Sequence, residues 1–116
     1  MKDLSNKHDL DFLLRAFYSK ALMHPVLKEK FEKLDMDHHI PIIASFWAGI
    51  LFFEQDYKGN PFLPHKSMGL EKSHFQSWLK LLNETLDEHF AGDTADEMKK
   101  RAGTIAEIFR HKLGID

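Results

Sequence analysis

The chain has no cysteine. Disulfide frameworks, thiolate nucleophiles and thiolate-held metal clusters are excluded with it, so any metal must be met by histidine or carboxylate. Charge of one sign is missing as well. Sixteen Lys and Arg against eighteen Asp and Glu leave a net charge of −2. That balance offers neither the electrostatic pull of a nucleic-acid binder nor a polybasic membrane patch. No hydrophobic run is long enough to cross a bilayer: the longest uncharged stretch, Ile40 to Phe53, has fourteen residues where about 20 are needed. It reads as a buried core helix. The opening "MKDLSNKHD" carries no apolar segment of the secretory type, and a soluble cytoplasmic protein is the expectation. Internal repeats, low-complexity tracts, Gly-rich phosphate loops and Ser–His–Asp arrangements are also absent from the sequence.

What is present is apolar bulk at helical spacing. Apolar residues make up 43% of the 116, with ten Phe, two Trp and two Tyr, enough for one real core. Residues 1–116 therefore read as a single all-α domain. The first helix is expected from an N-cap at Ser5 or Asn6 to about Met23, with Leu10, Leu14, Phe17 and Ala21 on one face. Pro25 suits the first position of a short helix, "PVLKEKFEKL", in which Val26, Phe31 and Leu34 are apolar. A third helix opens around Asp35 to Asp37 and runs to about Gln55, with Pro41 placed in its first turn, where its missing N–H costs little. The segment "LEKSHFQSWLKLLNETLDEHF" gives a fourth, with Phe75, Leu79, Leu82 and Leu86 in register. Thr94 and Glu97 have capping-box spacing for a last helix, lined by Met98, Ala102, Ile105, Phe109 and Leu113.

Between the third and fourth helices lies "YKGNPFLPHK", a ten-residue break with Gly59, Pro61 and Pro64 that ends on His65 and Lys66. A stretch this rich in turn formers ordinarily only connects, but here it also delivers an imidazole. Of eight histidines, His8, His24, His89 and His111 stand near helix ends or among charges and read as solvated, as does His74. His39 heads an apolar stripe, with Ile43, Phe46 and Ile50 four, seven and eleven residues on, while His38 is turned about 100° away. Tyr18 and Trp78 bring an O–H and an N–H toward the core from two other helices. Three donors aimed into one apolar space gain a core little unless something binds there, since each unpaired one costs about 1–3 kcal/mol. Zinc fits poorly, because His38 and His39 point apart and no HExxH occurs. A di-iron site needs two Glu-x-x-His pairs, and "EKSH" supplies one.

These residues carry a resemblance. "AFYSKAL" with Phe17-Tyr18, Phe31, "HIPIIASFWAGIL" with His39 eight residues before Trp47, "YKGNPFLPH" and "HFQSWLKLL" together resemble the truncated haemoglobins, group III, over nearly the whole chain. The glycine pairs typical of groups I and II do not occur. The resemblance implies a two-over-two helical sandwich around a b-type haem, with His65 as the proximal ligand to iron. Tyr18, His39 and Trp78 then face the ligand side. Phe31, Ile43, Phe46, Phe75, Trp78 and Phe109, with Phe17 and Met68, are the expected walls, and Lys66 the expected partner of a haem propionate. Pro41, just after His39, is expected to shorten or kink that part of the helix. The irregular break then has a purpose: it lets the backbone step around a flat plate and present one imidazole. The function implied is reversible binding of dioxygen, nitric oxide or carbon monoxide. The alternative is a haem enzyme, a nitric-oxide dioxygenase or peroxidase, which would need an external reductase because the chain has no flavin or nicotinamide module.

Overall fold

The structure, a computed structural model, describes residues 1–115. Among them are six helices and no strand: α1 (Lys7–Ala21), α2 (Lys28–Phe31), α3 (Met36–Phe52), α4 (Leu63–Lys66), α5 (Lys72–His89) and α6 (Asp93–Lys112). The long helices form the frame. α1 packs on α3 and α5, α5 on α6, and α3 meets α6, while the two four-residue helices sit at the flanks. The core between them is built from Leu10, Leu13, Leu14 and Phe17 of α1, Ile40, Ala44, Trp47 and Ala48 of α3, Leu82 and Leu86 of α5, and Ala95, Met98 and Ala102 of α6. Among the described residues no helix is long and apolar enough to cross a membrane.

The helix ends show where local sequence rules hold and where tertiary structure overrides them. Asn6 caps α1, its side-chain oxygen accepting from the Asp9 N–H at 2.9 Å, as its type and position predict. The short helix is shorter than expected, and its buried anchor is Leu27; Leu34 is exposed. α3 ends at Phe52 rather than near Gln55, because Phe53 turns into the left-handed region at φ 60° and reverses the chain. Pro41 lies in the second turn of α3, not the first. The bond it deletes frees the carbonyl of Asp37, and both residues are exposed, so water can serve that oxygen.

The expected Thr94–Glu97 capping box does not form. α6 begins at Asp93, and its free N–H groups are met from the far end of the sequence: the Asp3 carboxylate accepts from Thr94 at 2.8 Å and Ala95 at 2.9 Å. Gly92 makes this approach possible. Its φ is 143°, and a Cβ there would stand 2.5 Å from the Asp3 carboxyl carbon. The Ala91 N–H to Lys2 carbonyl bond, 3.0 Å, completes the tie. Burial pushes the Asp3 carboxyl upward, but the N–H groups of Thr94, Ala95 and Leu4 outweigh it and hold it below the ordinary value. Its stabilisation is thus present above about pH 4 and lost as pH falls through the lowered value. Asp3→Ala should cost about 1–2 kcal/mol, measured as a drop in the urea midpoint at neutral pH.

Candidate functional site

The frame leaves a cavity of about 390 Å³, within the range of small-molecule and cofactor sites. Its lining is chiefly apolar and aromatic. Phe31, Ile43, Phe46, Phe75, Trp78 and Phe109 all stand on its wall, with Phe17 and Met68. The apolar stripe of α3 is split between two tasks. Ile40, Ala44, Trp47 and Ala48 are buried in the packed core, whereas His39, Ile43 and Phe46, half-buried, border the cavity. Spacing puts those three on one apolar stripe, and the resemblance implies that the stripe lines a pocket.

Tyr18 of α1 and His39 of α3 meet across the cavity wall. The Tyr18 hydroxyl lies 2.9 Å from His39 Nε2, and the rings are edge-to-face with centroids 5.3 Å apart. Phe31 packs edge-on against the same tyrosine at 5.4 Å. Burial drives the Tyr18 pKa far up, so the hydroxyl stays protonated and has one proton to give. His38 is exposed, as the helical rotation requires.

His65 enters from another side. It sits on α4, one helical turn inside what the sequence presents as an irregular break, with Pro64 in the first turn. Its Nδ1 lies 2.7 Å from the Pro61 carbonyl oxygen. A carbonyl can only accept, so Nδ1 carries the proton and Nε2 of the neutral ring keeps its lone pair. The Phe109 ring, 5.0 Å away centroid to centroid, holds the imidazole from behind, and Phe62 packs on Phe109 at 5.3 Å. The result is an oriented imidazole with one free nitrogen on an apolar wall.

Both histidines are held neutral. Burial pulls the His65 pKa down, against the opposing hydrogen bond to Pro61. Burial does the same for His39, helped by the charges that His65 and His38 would carry. The unfolded chain therefore takes up more protons below about pH 6.5, and stability is lost as pH falls from there through the lowered folded values. The urea midpoint of the cofactor-free protein should fall over that interval, well above the acid range where Asp3 titrates. His65→Leu should shallow the fall.

One expectation about the histidines is corrected, and a lysine not singled out in the sequence lines the cavity. Lys66 is exposed and stands off the cavity wall; Lys30 of α2 lines it, its Nζ bonded to the Met68 carbonyl at 2.8 Å. His74 is buried, not solvated, and also lines the cavity, with Nδ1 accepting the Glu71 N–H at 2.8 Å. The "EKSH" spacing thus makes a helix cap. Tyr57, not singled out in the sequence, packs on Phe46 at 5.4 Å and closes part of the wall. Its position in a Gly- and Pro-rich break gave no periodic signal.

An all-helical sandwich that encloses an apolar cavity between oriented imidazoles is a globin arrangement. No protein-family model matches the chain. It is 36% identical to a group 1 truncated hemoglobin of Tetrahymena pyriformis, over 96% of this chain and 91% of that one. It is 29% identical to a group 3 truncated hemoglobin of Campylobacter jejuni, over 93% and 91%. The crystal structure of a group III truncated hemoglobin from Campylobacter jejuni superposes with a TM-score of 0.88 at 30% identity, covering 97% of this chain and 95% of that one. The Tetrahymena pyriformis truncated hemoglobin gives 0.74 at 27%, over 91% and 89%. The chain belongs to the truncated haemoglobin family, and its shape places it with group III.

Proposed function

We propose that the cavity takes one non-covalently held haem b, with His65 as the protein's ligand to iron and Tyr18, His39 and Trp78 on the ligand-binding side. The observation that carries this is the state of His65: neutral, its Nδ1 proton committed to Pro61, its Nε2 bare on the cavity wall. That is the tautomer a histidine would need to ligate iron. The residues fit the group in other respects. Among the described residues no cluster of three or more His, Asp or Glu gathers to chelate a bare ion, so the donor set suits iron whose other ligands come with it. The wall is aromatic enough to cover a flat apolar ring. One relative, the Tetrahymena pyriformis truncated hemoglobin, was solved in an Fe(III) form.

Haem held there by His65 would supply an iron able to bind a diatomic ligand: dioxygen, nitric oxide or carbon monoxide. Tyr18 and Trp78 line the cavity, and this reading assigns their O–H and N–H to the bound ligand, with the apolar walls keeping bulk water from competing. Reversible ligand binding is the reading they support best. Titrating haemin into the cofactor-free chain should raise a Soret band that saturates at one equivalent, and acid–butanone should then remove all the colour. No Soret band, or colour left on the polypeptide, contradicts the proposal.

The Tyr18–His39 pair also favours a second reading, a nitric-oxide dioxygenase or peroxidase-like enzyme, since preorganised donors stabilise developing charge. Turnover as a dioxygenase then depends on an external reductase. Nitric oxide consumption under air, followed with and without a supplied reductase, separates the two.

A further inference from the structure

One group on the cavity wall has no role in the foregoing. Lys30 is the sole lysine or arginine among the described lining residues, and its side chain is only 18% exposed. His74 beside it is 9% exposed at the side chain. A buried ammonium is costly without an anion, and Lys30 Nζ has two carbonyls, Met68 at 2.8 Å and Gly69 at 3.4 Å. The nearest carboxylate falls short. Glu29 Oε1 stands 4.0 Å from Lys30 Nζ and also 4.0 Å from His74 Nε2, beyond hydrogen-bond reach of either. Its side chain is 70% exposed.

The two donors are set up for something closer. Lys30 has a third N–H beyond the two carbonyls. His74 Nδ1 accepts from Glu71, so in the neutral ring Nε2 carries the proton and can donate. An N–H from α2 and another from α5 thus converge on one carboxylate oxygen, at a spacing that a better-placed carboxylate could shorten to about 2.8 Å.

We infer that Lys30 and His74 form a carboxylate clamp at the cavity mouth that takes a propionate of the haem, and that Glu29 occupies its approach until then. The inference rests on the haem reading. It adds to Lys66 a propionate partner 36 positions earlier in the sequence. Glu29 repels an incoming propionate and competes for its partners, so removing its charge tightens binding, whereas removing the Lys30 charge loosens it.

The test compares haem with haem dimethyl ester, whose carboxylates are blocked, by the rate of porphyrin transfer to an excess of a haem-scavenging globin. Lys30→Met should speed loss of haem about tenfold and change loss of the ester less than about twofold, the difference being one charge-assisted contact. Lys30→Arg should stay near the parent, and Glu29→Gln should slow loss of haem by about twofold without affecting the ester. Equal acceleration of both porphyrins by Lys30→Met would show that the lysine acts only through its Met68 and Gly69 bonds, and overturns the clamp. So does no acceleration of either. If the unsubstituted chain takes up neither porphyrin, the haem reading fails and the clamp with it; uptake of both with no Lys30 effect sinks the clamp alone.

Discussion

His65→Ala is expected to abolish stable haem binding, the largest effect of any single substitution in this protein. Alanine removes the free Nε2 and leaves the apolar wall to hold the porphyrin alone. The Soret band formed with haemin should weaken to that of loosely held porphyrin, and added imidazole should restore it by filling the space the ring vacated. The fold should survive, because His65 lies outside the buried core and its four-residue helix is anchored by Phe62 on Phe109. Far-ultraviolet circular dichroism checks this. His39→Ala is the control: if it removes iron ligation and His65→Ala does not, the two sides of the haem have been assigned in reverse.

Tyr18→Phe should speed dioxygen release by at least about tenfold, the factor that 1.4 kcal/mol produces, while carbon monoxide release changes far less. The substitution deletes one hydroxyl and keeps the ring, so contacts with Phe17 and Phe31 persist. Trp78→Phe should act in the same direction but mix lost polarity with added space. The Tyr18–His39 bond adds a sharper test, because a tyrosine has only one proton to give. If His39 Nε2 accepts that proton, His39→Leu frees the hydroxyl for the ligand and slows dioxygen release. If Nε2 carries its own proton and donates to the tyrosine oxygen, the hydroxyl is already free and His39→Leu leaves release the same or faster. Stopped-flow release from the three variants gives both answers, and equal acceleration of dioxygen and carbon monoxide would mean that packing governs the pocket.

The long helices were legible because one face of each is apolar at the helical period. Leu10, Leu14 and Phe17, or Met98 and Ala102, announce a buried stripe without reference to anything distant. The stripe of His39, Ile43 and Phe46 was legible for the same reason, while its place on a cavity wall came from the resemblance. What stayed hidden depends on residues far apart in sequence. Nothing near Thr94 says that Asp3 will cap the helix, and the Thr94–Glu97 spacing argued for a local cap instead. Lys30 sits among the charges of "LKEKFEKL", where no pattern separates the lysine that turns inward from those that stay in water. His74 looked solvated because its neighbours are polar, yet the start of α5 folds it under. The proton positions on His65 and His74, opposite in the two rings, follow from partners in space.

The bond from Asp3 to α6 has a consequence for the order in which the protein assembles. It joins residues 91 apart in the chain, and closing a flexible loop that long costs about 4 kcal/mol of entropy. A single carboxylate cannot meet that cost early. The tie therefore forms after α1, α3, α5 and α6 have packed and brought its partners within reach. Contacts made after the folding barrier slow escape from the native state without speeding arrival. In a chevron plot Asp3→Ala should leave the refolding arm in place and raise the unfolding arm, so the carboxylate acts as a latch on an already assembled fold.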